Sequence, residues 1–252
     1  MNTLGYILSL FGYFSLSFLF YVKNDFLSTI LLCSLLIIFS TVIREYRRHV
    51  PLLVVVATAL TFFHFISIFE IRWHWPFDFY LAAFIGFLMF RFLFRKPVNK
   101  LNWSFRFNKL QILSILIINV PAVFILFWYY QTHPEVADMW PSFDAPSWSI
   151  PFIILLIATI NGLREEIFYR GLIQTKTSSE APTWYSISLQ AVMFGLLHFA
   201  NAFPQGWMGV MLTAIWGGAI SIQYRYFRSI ALAWVTHAVA DAIMFAIIIY
   251  TR

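Results

Sequence analysis

Two adjacent carboxylates followed four residues later by an arginine, Glu165-Glu166-Ile167-Phe168-Tyr169-Arg170, stand at the end of an apolar run that begins near Ile150. Pro151 to Ile160 holds no charged residue, so the segment reads as a membrane helix that carries charge into or close to the bilayer. Charge at that depth costs about 2.5 kcal/mol or more per group and by default marks a functional site. At the four-residue spacing Glu166 and Arg170 lie one above the other and can pair. Glu165 lies about 100° further round the helix and is left over, a partly desolvated carboxylate of the kind a general acid or base requires. A salt-bridged helix end at the membrane interface would use the same residues.

Two later apolar runs change the balance. His198 closes the run Trp184 to Ala200, and His237 and Asp241 lie inside the last one, at a spacing that puts both on one helix face. There the carboxylate can orient the imidazole or share a proton with it, and an aspartate so far inside a span needs such a partner, with Arg170 and His198 as further candidates. The first five apolar runs carry few ionisable groups away from their ends, His64 and Arg91 being the exceptions. Acid, base and electrophile candidates from three helices are the parts a hydrolytic site needs.

The elements that must position these groups follow from composition. Of 252 residues 61% are hydrophobic and 11% charged, against about 25% charged in soluble domains. Mean hydropathy is +0.76. The chain is therefore expected to be an all-α, polytopic transmembrane helical bundle with eight or nine membrane helices. At about 20 residues per span these fall near 4–22, 26–43, 51–69, 77–94, 110–130, 150–170, 184–200, 206–224 and 230–250. The first run has no basic residue before it and no small-residue cleavage signal after it, so it is read as a retained span. Cys33 is the single cysteine and rules out an intrachain disulfide or a cysteine-built metal site. Gly195, Gly209, Gly217 and Gly218 read as points of close helix approach and are assigned no chemistry.

The net charge of +6 is distributed as membrane orientation, not as a nucleic-acid surface. With the N-terminus inside, fourteen of the 17 Lys and Arg residues lie at inside ends, and only Lys23, Arg72 and Arg252 lie outside. The basic, aromatic-rich segment 91–109 reads as an anchor on an anionic leaflet. The acidic loop 131–149, with three prolines and two tryptophans, reads as a structured cap at the outer interface.

The three pieces, in this order, resemble the CPBP family, which comprises CAAX prenyl endopeptidases and bacteriocin-processing intramembrane proteases. The family pattern is Glu-Glu-x-x-x-Arg, Phe-x-x-x-His and His-x-x-x-Asn or Asp on successive membrane helices. Here it reads Glu165-Glu166 to Arg170, Phe194 to His198 and His237 to Asp241. The resemblance covers roughly residues 150–250. It implies a catalytic transmembrane core at 150–252, preceded at 1–149 by further spans and the outside loop.

What the resemblance implies is a glutamic-type endopeptidase that hydrolyses a peptide bond near the anchor or C-terminus of a membrane-associated protein or peptide precursor. It also implies a multi-pass protein of a prokaryotic cytoplasmic membrane whose partners are the lipid bilayer and a membrane-anchored substrate. Glu165 or Glu166 with His198 would activate water, His237 with Asp241 would polarise the carbonyl, and Arg170 would hold the other glutamate. An ionised Asp241 accepts hydrogen bonds only, so either His237 is the donor and Asp241 orients it, or Asp241 is protonated. Counted from these helix limits, the glutamates and His198 sit toward opposite membrane faces, an offset of up to roughly 10 Å. No cofactor is expected. Zinc is the alternative, since one carboxylate and two histidines form a catalytic set, although the usual His-Glu-x-x-His signature is absent. A transporter or a non-catalytic immunity protein would also hold intramembrane acids and histidines, but no inverted repeat is found.

Overall fold

The computed structural model describes residues 3–43, 101–134, 146–179, 181–199 and 203–250, and every regular element among them is helical. In a bilayer the backbone must satisfy its own hydrogen bonds, which is why uncharged runs of this length become helices. They are α1 (Thr3–Tyr21), α2 (Phe26–Val42), α3 (Lys109–Thr132), α4 (Ile150–Glu166), α5 (Thr183–Leu197), α6 (Gly206–Phe227) and α7 (Ile230–Tyr250). Seven of the nine expected spans thus correspond to helices. Those at 51–69 and 77–94 lie outside the described residues, among which seven of the expected eight or nine helices are found. Four of these are long and apolar enough to cross a membrane: α1, α3, α7, and α4 taken with its flanks as Ser147–Ser178. The chain is a multi-pass membrane protein.

Local chemistry sets the helix ends. Asp25 caps α2 by accepting from the Ser28 amide at 3.0 Å. Asn108 and Gln111 cap α3 reciprocally, each side chain accepting the other's backbone amide at 2.9 Å. The N-terminus of α7 is closed from outside the helix, the Asn102 carbonyl accepting from the Ile230 amide at 3.1 Å. This holds the irregular stretch 101–108 against the bundle. Its exposed Trp103 and Phe105 meet Trp234 edge-on, at 6.3 and 5.7 Å between ring centres. Such exposed aromatic rings beside Arg106 and Lys109 fit the surface anchor expected there.

Two expected boundaries are corrected. The span drawn at 150–170 does not stop at its charges. It runs on through a π-helix, Ile167–Gln174, into a last α turn, Thr175–Ser178. A π turn leaves carbonyls out of the usual ladder, and here the Thr175 hydroxyl donates to the Arg170 carbonyl at 2.8 Å. The span drawn at 184–200 ends instead at Leu197. With 15 residues, α5 is about 22 Å long, short of the roughly 30 Å hydrocarbon thickness.

Helix α7 packs against α4, α3 and α6, while α5 packs against α6 and α1, and α1 against α2. One core joins Tyr13 and Leu16 of α1 to Tyr185, Leu189 and Phe194 of α5 and Tyr169 of the π stretch. Ser9 and Tyr185 tie the same pair of helices by a 2.8 Å hydrogen bond. Between α5 and α6 the contact is made by absent side chains. A Cβ on Gly195 would stand 2.6 Å from the Val210 carbonyl oxygen and 2.8 Å from Ala214 Cβ. A Cβ on Gly218 would meet only Ala191 Cβ, at an ordinary 3.8 Å. Gly195→Ala should therefore destabilise the purified protein by about 1–3 kcal/mol through overpacking. Gly218→Ala should be neutral or gain up to about 1 kcal/mol from helix propensity. Thermal unfolding of the two variants in detergent checks the contrast, and equal melting temperatures would contradict this packing.

Candidate active site

The six residues picked out by type and spacing come together in one buried cluster. Glu165 and Glu166 end α4, Arg170 lies in the π stretch, His198 caps the C-terminus of α5, and His237 and Asp241 face α4 from α7. The expected depth mismatch closes because the α4 helix continues. Glu165 lies 13 residues, or about 20 Å, above Ser178, and His198 lies 15 residues, or about 22 Å, above Thr183 across the short turn. The two groups therefore sit at nearly the same depth. The end of α5 at that depth leaves non-helical backbone inside the membrane region, a condition tolerated only where it is buried in protein or borders water.

Glu166 is the anchor. Its Oε1 accepts from Arg170 Nη1 at 2.8 Å and from His237 Nδ1 at 2.7 Å. Arg170 also donates through Nη2 to the Gly217 carbonyl at 2.8 Å and lies over the Phe194 ring. The Glu166–Arg170 pair expected from spacing is thus present and completely buried.

Two expected pairings are corrected. Glu165 is not left over, because Arg164 Nη2 donates to its Oε1 at 2.6 Å. Neighbouring residues diverge round a helix, but the long arginine side chain reaches back. His237 is oriented by Glu166 across the helix interface, not by Asp241 along its own helix. His237 Nε2 stands 3.6 Å from both Asp241 Oδ1 and Glu165 Oε2, beyond hydrogen-bond length. Asp241 takes its hydrogen bond from Asn161 instead, Nδ2 to Oδ2 at 2.8 Å. Arg164 and Asn161 belong to the same buried cluster and were missed by the sequence reasoning. The signal for Asn161 was present: it is a polar residue in an apolar run, one turn before Glu165 and so on the same face.

The imidazole tautomers follow from their partners. His198 Nδ1 lies 3.0 Å from the Phe194 carbonyl, which can only accept, so Nδ1 carries the hydrogen and the neutral ring keeps its lone pair on Nε2. Phe194 neighbours both imidazoles, at 4.7 Å from His198 and 5.9 Å from His237 between ring centres. Glycine lets the helices close on the site: a Cβ on Gly162 would stand 3.4 Å from His237 Cβ, and one on Gly217 would press on Phe194. Oε2 of each glutamate accepts no hydrogen bond from the described residues. Glu165 (4%), Asp241 (7%) and His198 (8%) keep traces of exposure, against 0% for Glu166 and Arg170. No three Cys, His, Asp or Glu side chains among the described residues are grouped to hold a metal ion.

Residues 146–243, the part of the chain that builds this site, match the Rce1-like family, described as type II CAAX prenyl endopeptidase Rce1-like. The family resemblance carried by the three motifs is thereby shown, and it is a family of proteases. No curated protein and no solved structure matches the chain.

Because Arg170 divides its fork between Glu166 and the Gly217 carbonyl, neither Lys nor an apolar side chain replaces it. Arg170→Met leaves Glu166 without its buried counter-charge and should cost about 3–5 kcal/mol of stability. Arg170→Lys should recover only part of that in thermal melts. Full recovery by lysine would show that the bidentate geometry is immaterial.

Proposed function

We propose that this Rce1-like membrane protein is a glutamic-type intramembrane endopeptidase in which Glu165 is the base and Glu166 the anchor. The observation that carries the assignment is the unequal commitment of the two carboxylates. Glu166 is wholly buried and holds both Arg170 and His237 on one oxygen, whereas Glu165 keeps a trace of exposure and accepts one hydrogen bond, from Arg164. Glu165 Oε2 and His198 Nε2 are thus the proton acceptors for a bound water.

In the reaction, water gives a proton to Glu165 as its oxygen bonds to the scissile carbonyl carbon, and the C=O π pair moves onto the carbonyl oxygen. His237 meets that charge from Nε2, its other nitrogen being committed to Glu166. Three carboxylates against two guanidiniums leave one negative charge in the cluster, which a doubly protonated His237 cancels. Collapse of the intermediate re-forms C=O and breaks C–N. The proton taken up by Glu165 passes to the leaving amine directly or through His198.

The substrate is a membrane-associated protein or peptide precursor, cut near its anchor or C-terminus. Residues 150–252 are the catalytic core of this reading, supported by the packing of α1 against α5 and of α3 against α7. The family and the distribution of basic residues support a prokaryotic cytoplasmic membrane with the N-terminus inside. No metal takes part, and zinc is the alternative.

Cleavage of a co-expressed membrane-anchored candidate substrate tests the assignment at matched expression. Glu165→Gln and His198→Ala should each lower the rate by about 10²–10⁴-fold, and chelators should leave wild type unaffected. Loss of activity with chelator would favour zinc. Wild-type rates in both variants would refute the assignment of base and partner.

A further inference from the structure

We propose that Asn161 is an oxyanion donor, and that Asp241 serves this amide rather than the substrate. The inference rests on the peptidase reading above and adds a catalytic residue to it. A tetrahedral intermediate needs N–H or O–H groups aimed at its oxygen, and an ionised Asp241 can supply neither. The group touching Asp241 can. Asn161 Nδ2 carries two hydrogens and gives one to Asp241 Oδ2 at 2.8 Å, while its own Oδ1 is buried without a hydrogen-bond partner. Facing an ionised carboxylate, only the NH₂ side of the amide can make that contact, so the carboxylate fixes which way the amide points.

The placement fits the task. Asn161 stands one turn before Glu165 on α4, and Asp241 one turn after His237 on α7. The two helices run in opposite directions and touch where Gly162 meets His237. The four side chains therefore form two cross-helix pairs at adjacent levels: Asn161 with Asp241, and Glu165 with His237 at 3.6 Å. The second hydrogen of Asn161 Nδ2 is the one available to a carbonyl oxygen bound next to Glu165 and His237. It donates a hydrogen bond as water's oxygen adds to the carbon and the π pair moves onto oxygen, and it transfers no proton. Asn161 is 8% exposed and Asp241 7%, so the pair is shielded enough for such a bond to count without being sealed off.

Steady-state kinetics of the purified full-length protein on a membrane-anchored peptide substrate provides the test, with thermal melting to follow folding. Asn161→Ala should lower kcat by about 10²–10³-fold with KM changed less than about threefold, the signature of a contact made in the transition state. Asn161→Asp sets two carboxyl groups in contact and should also lose activity. The exchanged pair, Asn161→Asp with Asp241→Asn, returns an amide donor from the opposite helix and should recover at least about tenfold over Asn161→Asp alone. Where Asn161→Ala fails to fold, the exchanged pair, which keeps the hydrogen bond, decides alone. A kcat for Asn161→Ala within a few-fold of wild type overturns the proposal, as does a loss carried entirely by KM. An exchanged pair that melts like wild type yet cleaves no better than Asn161→Asp does so too. A wild-type protein that cleaves nothing overturns the peptidase reading and this inference with it, whereas a cleaving wild type beside an active Asn161→Ala overturns this inference alone.

Discussion

One carboxylate oxygen organises the molecule. Glu166 Oε1 receives Arg170 from its own helix and His237 from α7, and Arg170 reaches on to the Gly217 carbonyl of α6. Burying an ion pair this completely is expensive, and the expense is recovered only if geometry is good and further hydrogen bonds satisfy the charged groups. The structure meets that condition by bringing three helices to a single point. The relative positions of α4, α6 and α7 are therefore set by the needs of one buried charge, and the remaining site groups inherit their placement from it.

Close approach by glycine is the second condition. In lipid, apolar surface gains little from helix contact itself, so tight packing of small residues does the work. Gly162 brings α4 against α7, Gly217 makes room for Phe194 and Arg170, and Gly195 lets α5 lie on the α6 backbone. Side chains that must reach one another at hydrogen-bond length are then held by backbones that cannot draw further together. The geometry of the cluster is thus fixed by helix packing itself.

The described helices and the residues of the buried cluster were legible because both depend on short-range rules: uncharged length for a span, a four-residue interval for a shared face. The same rules misled where partners lie on different helices. His237 has Asp241 one turn away, and only the folded bundle shows that Glu166 lies closer. Glu165 looked unpaired because Arg164 is its immediate neighbour, an interval that ordinarily points side chains apart. Helix limits drawn from hydropathy stop at the first charges, whereas the α4 helix runs past them on buried ion pairs to Ser178. Asn161 was legible in principle as a polar residue on the Glu165 face, but its role depends on the neighbouring helix.

The end of α5 does more than stop a helix. Had the helix continued regularly, the His198 amide would have taken the Phe194 carbonyl four residues back. Instead that amide turns to Gly195 at 2.9 Å, and the Phe194 carbonyl is left for the imidazole Nδ1. Tautomer choice at His198 is thus a by-product of helix termination, and the spacing from Phe194 to His198 is the interval at which backbone and ring compete for one acceptor. Secondary structure and proton inventory are here the same variable: lengthening α5 by a single turn would set the His198 amide against its own ring for the Phe194 carbonyl without altering any residue of the cluster.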